Sequence, residues 1–462
     1  MRKQERLRPK GVKFMMNPAV LFASGATDLL AARCQMALTL GFHIVLACFG
    51  VGMPVLMLLA EWRWLRTADE GWRTLAQRWS KVFAVLFAVG AVSGTVLSFE
   101  LGLLWPAFMA KFGSVFGLSF TLEGVAFFLE GIFVGIYLYG WDRLSPKAHW
   151  LAGLPIAVSG VASAWFVVTV NSWMNAPQGF RLEEGAVVDV YPLQAMLNPA
   201  TGAQTTHMIV AAYMVTGFMV ATVHAVALLR GGPRRHHGRA MALGLALAAP
   251  LAPLQLVVGD WAARVVAATQ PVKLAAMEGQ FRTQRRAPLR IGGLPDAERH
   301  VTQYAIEVPG ALSWLAYGDV NAEVRGLDAF PSGDQPPTAI VHVAFQVMVL
   351  AGTLLLTAAA LLGWMRWRRG QWPSGRAALL GISFCGPLAV IALESGWVVT
   401  EVGRQPWIVH GLLRTADAVT AAPGVRSVLA VTLTIYAMLL IGTVVALRLL
   451  ARVPLPEVAH GD

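Results

Sequence analysis

Residues 338–364 read TAIVHVAFQVMVLAGTLLLTAAALLGW and contain no Asp, Glu, Lys or Arg. At about 1.5 Å per residue, roughly 20 apolar residues in a helix cross the hydrocarbon core of a bilayer. This run is longer than that, and Arg366, Arg368 and Arg369 follow it directly. It reads as a transmembrane helix with a basic end. Eight more apolar runs lie at approximately 36–60, 82–104, 117–140, 149–170, 205–229, 240–266, 377–399 and 427–450. They lack the short alternating segments of a membrane barrel. The expected fold is therefore an all-α integral membrane protein of about nine transmembrane helices.

Composition points the same way. The 462 residues are 56% hydrophobic and 14% charged, whereas a soluble protein carries charge on about a quarter of its residues. This excludes a disordered chain and a nucleic-acid-binding solution domain, despite a formal net charge of +11. Three cysteines, with Cys48 and Cys385 inside apolar runs, offer no disulfide framework and no CxxC metal pair.

The positive charge instead marks sides. Arg63, Arg66, Arg73, Arg78 and Lys81 fill the first connection, and Arg143 and Lys147 the third. Arg230, Arg234, Arg235 and Arg239 fill the fifth, and Arg366, Arg368, Arg369 and Arg376 the seventh. The connections 105–116 and 171–204 hold only Lys111 and Arg181. By the positive-inside rule the odd connections are cytoplasmic, the N-terminus periplasmic and the C-terminus cytoplasmic. A basic leader (Arg2, Lys3, Arg6, Arg8, Lys10, Lys13) opposes this assignment, and initiation at Met15 or Met16 would remove it. The chain then divides into an N-terminal segment (1–35), helices one to six (36–266), a periplasmic loop (267–337), helices seven to nine (338–450) and a tail (451–462). A loop that long, rich in Pro, Gly and charge, is expected to be functional.

Titratable groups inside spans are costly, so each marks a candidate site. They are His43, Glu100, Glu123, Glu130, His207, His224, Asp260, His342 and Glu394, with Glu401 just past the eighth span. Most fall in the outer half of the membrane under the topology above. Glu123 and Glu130 are two turns apart and share a helix face. Each has a plainer alternative: an intramembrane His can bond helix to helix, and Met348 can simply pack. His236 and His237 read as solvated residues of a basic loop. Imidazole, thioether and carboxylate donors together suggest haem. No adjacent intramembrane His pair of the kind that holds copper is present.

The residues also resemble a known family. Gly396-Trp397, Glu401 and Gly403-Arg404-Gln405-Pro406-Trp407 form a specific run. Gly140-Trp141-Asp142-Arg143, Leu122-Glu123-Gly124, Phe127-Phe128-Leu129-Glu130, Asn171-Ser172-Trp173-Met174 and Lys273-Leu274-Ala275-Ala276-Met277-Glu278 accompany it. Together they resemble subunit I of the cytochrome bd-type quinol oxidases over nearly the whole chain. That resemblance implies His207 and Met348 as axial ligands of a low-spin haem b. It implies His43 and Glu401 as ligands of a high-spin haem b and of haem d (or a third haem b), with the pairing left open. Lys273 and Glu278 would belong to the quinol-binding loop, and Glu123, Glu130, Ser163 and Asn171 to a proton path; Glu100, near the outer end of the second span, is a further catalytic candidate. Trp397 would serve electron transfer and Arg404 would meet haem propionates.

The loop 267–337, long for a connection, is short beside that of the long-loop members, so the chain resembles the short-loop branch, which includes cyanide-insensitive oxidases. Two departures stand out: Glu123 and Glu130 are seven apart rather than eight, and Gln346 stands where some members have Arg. The implied function is a terminal quinol oxidase of the bacterial inner membrane, reducing O2 to water without copper. Implied partners are a second membrane subunit and a small accessory single-span subunit, with the lipid bilayer as solvent and no nucleic acid. A haem-free proton-coupled transporter would explain the carboxylates but not Met348 or the GRQPW run.

Overall fold

A computed structural model describes residues 18–454, with side chains from residue 28 onward. The basic leader, the alternative start at Met15 or Met16 and the end of the tail lie outside the described residues. Within them, nine helices, one of them interrupted, are long and apolar enough to cross a membrane.

The first four are α1 (Pro18–Thr67), α2 (Glu70–Leu104), α3 (Pro106–Tyr139) and α4 (Pro146–Asn175). After them come α5 (Thr201–Leu229), then α6 (Arg234–Ala248) and α7 (Leu251–Thr269), which together make the sixth span. The short α8 (Pro271–Met277) opens the long loop, and α9 (Thr338–Arg369), α10 (Arg376–Val402) and α11 (Val425–Arg452) complete the bundle.

Helix α5 is the interior post, 67% buried across its most apolar window, and it packs on α1, α4, α6, α7 and α10. Its approach to α6 is set by two glycines facing each other. A Cβ on Gly217 would sit 2.7 Å from the Gly244 carbonyl, and one on Gly244 would sit 2.6 Å from that of Gly217. Small residues let membrane helices close to backbone contact.

Three differences from the sequence reading have physical causes. The sixth span is broken at Ala249 and Pro250, because Pro250 and Pro253 remove backbone donors and crowd the preceding turn. Residues 105–116 are not a loop: α3 begins at Pro106. Phe108, Phe112 and Phe116, four residues apart, are buried, Phe108 stacked on Phe116 and the other two against Trp173, and that buried face extends the helix beyond the span. Helix α1 likewise continues to Thr67, which places Glu61 inside protein with no exposure.

Glu61 is held by two donors. The Tyr137 hydroxyl donates at 2.6 Å, and His149 Nδ1 lies 2.7 Å from the other oxygen. His149 Nε2 faces the Tyr137 carbonyl at 2.9 Å, and Trp141 packs over the imidazole. Glu61→Leu leaves two buried polar side chains without their acceptor. The expected cost is about 3–5 kcal/mol, typical of one partner lost from a buried pair, read as a lowered thermal unfolding midpoint with Glu61→Gln in between.

The loop after α8 contains a hairpin in two parts. Strands β1 (Leu289–Ile291) and β2 (Leu294–Asp296) run out, and β3 (Val301–Gln303) and β4 (Ile306–Val308) return. The register pairs Ile291 with Ile306 and Leu294 with Gln303. Gly292, at positive φ, and Gly293 interrupt the first arm.

Candidate functional site

The site is assembled where α4, α8 and α10 end together at the long loop. Helix α10 stops at Val402, and Arg404 turns back so that its guanidinium donates to Glu401. Asn171 of α4 donates to the other Glu401 oxygen. One turn along α4, Asn175 donates to the Asn171 carbonyl at 2.9 Å. Lys273 of α8 reaches Asn175 Oδ1 at 3.3 Å and the Thr400 carbonyl at 3.0 Å. Lys273, Asn175, Asn171, Glu401 and Arg404 thus form one hydrogen-bonded chain. Lys273 fits because Gly403 is bare: a Cβ there would lie 3.0 Å from the lysine Cε.

Burial tunes the two loop residues. Lys273 is enclosed, and desolvation, with Arg404 nearby adding to it and Glu401 opposing, lowers its pKa to about 7. Glu278 at the end of α8 is pushed up to about 8 by burial, with Arg290 opposing. The two do not form an ion pair among the described residues. Five positions apart, they leave α8 on different faces. One oxygen of Glu278 is buried with no partner, so it is free to meet a ligand.

The remaining sequence candidates are distributed along the bundle. His43 Nδ1 lies 2.9 Å from Ser93 Oγ, and that hydroxyl donates onward to the Gly90 carbonyl. The imidazole then donates from Nδ1 and keeps a lone pair on Nε2, the form a metal ligand requires. His207 has a buried Nδ1 without a partner, and its Nε2 faces the Gln255 amide at 3.2 Å. Met348 on α9 sits against Gly396 of α10, where a Cβ would lie 2.9 Å from its sulfur.

Glu123 accepts from Ser163 at 3.1 Å, whereas Asn171, two turns further along α4, serves Glu401. Glu130 is buried beside Gly160 with one oxygen unpartnered, and one oxygen of Glu394 is likewise unpartnered. Glu100 accepts from Gln35 and Thr39, both at 3.0 Å, and Trp397 lies half-buried on α10.

Comparison with known proteins gives this arrangement a family. Residues 31–454 match the family described as cytochrome bd terminal oxidase subunit I. The chain belongs to this family. It is 38% identical to a Bacillus subtilis (strain 168) protein provisionally named cytochrome bd menaquinol oxidase subunit I, covering 85% of this chain and 89% of that one. It is 28% identical to the cytochrome bd-II ubiquinol oxidase subunit 1 of Escherichia coli (strain K12), covering 84% and 89%. The bd oxidase structure from Geobacillus thermodenitrificans superposes with a TM-score of 0.87 at 38% identity, over 92% of this chain and 99% of the other. The chain is therefore a multi-pass membrane subunit of a terminal oxidase.

A cytochrome subunit must hold haem, and the donors fit one. His43 keeps a lone pair on Nε2, His207 has a buried ring nitrogen without a partner, and Met348 lies beside a glycine. Arg404 Nε and Nη1 are buried without partners, where a guanidinium suits a propionate.

Some of this was not evident from the sequence reading. His342 is a strap rather than a ligand: Nδ1 faces the Met277 carbonyl at 2.8 Å and Nε2 that of Gly292 at 3.1 Å. Gln346 spends both ends of its amide on the hairpin, accepting from Gly292 at 2.9 Å and donating to the Arg290 carbonyl at 3.0 Å. His236 and His237 are not in a solvated loop but at the start of α6. His237 Nδ1 lies 2.9 Å from that of His224. No three His, Cys, Asp or Glu side chains among the described residues are arranged to hold a metal ion. Asn175, missed earlier, could have been found from its four-residue spacing after Asn171.

Proposed function

We propose that this chain oxidises quinol at its long loop and reduces O2 to water, as the haem-carrying subunit of a bacterial inner-membrane oxidase. The hydrogen-bonded chain from Lys273 to Glu401 carries the reading, because it joins the loop to the carboxylate that matches a haem ligand. The arginine-rich connections assign the opposite end to the cytoplasm, which leaves the N-terminus and the loop outside.

In this reading Lys273 and Glu278 bind the quinol head group and accept its protons on the outer side. His207 and Met348 hold a low-spin haem b. His43 and Glu401 hold the two others, a high-spin b with a haem d or third haem b. Bound haem supplies one-electron transfer and an iron face for O2. Arg404 neutralises propionates and fixes Glu401. Glu130, Glu123 with Ser163, and Asn171 line a route for protons from the cytoplasm, and Glu100, near the outer end of α2, is a further catalytic group. Trp397, half-buried on α10, serves as an electron-transfer aromatic. Protons released outside and consumed from inside separate charge without a pump. A second membrane subunit completes the enzyme, together with a small accessory single-span subunit. In this reading copper has no part, and a loop shorter than that of the long-loop members supports the branch that includes the cyanide-insensitive oxidases.

The test is His207→Ala in the purified oxidase. The expected result is loss of the reduced low-spin band together with quinol oxidation. A surviving band refutes the ligand.

A further inference from the structure

The loop hairpin has two unlike faces. Its inner face is tied to the quinol segment: Thr302 Oγ1 donates to the Gly279 carbonyl at 2.8 Å, and Arg290 donates to the same oxygen at 3.3 Å. Its outer face is exposed and mostly apolar, its polar pair being Gln303, which donates to Asp296 at 2.8 Å beside Leu294. Leu294 is 60% exposed, Tyr304 86% and Ile306 68%, with Ile291 beside its partner Ile306 also exposed. An exposed apolar patch of this kind marks an interaction surface.

The height of the hairpin says what covers it. Gln346 clamps its backbone at Arg290 and Gly292, and Gln346 stands about 30 Å along α9 from Arg366 at the basic end. That distance is roughly the hydrocarbon thickness, so the clamp sits at the far edge of the hydrocarbon. Ile340, Val343, Val347, Leu350 and Leu354 form an exposed apolar stripe down α9, spaced alternately three and four apart. Val347 of that stripe adjoins the clamp residue. Beyond the clamp, Val347, Leu350 and Leu354 carry the exposed apolar stripe into the membrane-crossing part of α9, which the hairpin face adjoins, and Tyr304 is the residue type favoured at a membrane interface.

We infer that the outer face of the hairpin beds in the acyl region of the adjoining leaflet, Tyr304 and Ile306 foremost. This goes beyond the quinol assignment and needs only the membrane reading of the family. Bedding holds Gly279, and with it Glu278, at the depth where a lipid-soluble quinol presents its head group.

The test uses the oxidase in nanodiscs of phosphatidylethanolamine and phosphatidylglycerol. Exposed Cys34 is replaced by serine, and nitroxide labels are placed at Tyr304→Cys and Ile306→Cys. Leu350→Cys is the lipid control, and Arg299→Cys at the charged turn the water control. The expected result is collision with dissolved oxygen severalfold above collision with a water-soluble nickel chelate, as at Leu350. Accessibility to the chelate equal to that at Arg299 overturns the inference, since the hairpin then stands in water. Protection from both overturns it too, since a protein then covers the face. An unchanged haem spectrum certifies each variant's fold without reference to turnover.

Discussion

Glu401→Ala should be the most damaging single change in the site. Glu401 accepts from both Asn171 and Arg404, and Arg404 has two further nitrogens buried without partners. Removing the carboxylate leaves a buried guanidinium uncompensated, at an expected cost of about 3–5 kcal/mol. It also removes a proposed haem ligand, so O2 reduction should fall by more than the roughly 10- to 100-fold that loss of a partner behind a metal ligand costs. The two effects separate in Glu401→Ala/Arg404→Met, where the stranded charge is gone. The double variant is expected to regain most of the lost thermal midpoint and none of the turnover or missing haem absorbance. Recovered turnover would show that Glu401 acts only as the counterion of Arg404.

The contrast between Glu401 and Glu61 shows what the sequence could disclose. The spans were legible because lipid demands long runs without charge, and 338–364 satisfies that demand by composition alone. Glu401 and Arg404 were named through the resemblance that the GRQPW run carries, and the structure brings the two into contact. Glu61 and His149 escaped because each lies at a span boundary, where a charged residue reads as solvated; only the packing of α1 against α4 puts them inside protein. Residues 105–116 escaped because their helix is stabilised by Phe112 and Phe116 against Trp173, with Phe108 stacked on Phe116, and not by lipid. His342 read as a costly intramembrane group and Gln346 as a departure from the family pattern until the loop backbone appeared beside them. Contacts between a span and a distant loop leave no periodicity in either segment.

Glu278→Gln should affect quinol oxidation most through its pH dependence. Burial raises the Glu278 carboxyl to about 8, so at lower pH it is mostly protonated and cannot accept a proton from quinol. The active base form fills as pH rises. In the native oxidase kcat/KM for quinol should therefore fall about tenfold per unit below pH 8 and level off above it. An amide cannot take the proton at any pH. Glu278→Gln should lower the plateau by about 10²-fold or more, the usual contribution of a positioned base, and abolish that acid limb. The residue is outside the spans and its unpartnered oxygen bonds to nothing that the amide would disrupt, so haem spectra and thermal midpoint should be unchanged. Lys273→Met is the necessary comparison, because Lys273 also titrates low, near 7. It breaks the link to Asn175 and Thr400 but leaves Glu278 in place, and should weaken quinol binding while keeping a limb near 8. An acid limb that survives Glu278→Gln and vanishes in Lys273→Met would transfer the base to the lysine.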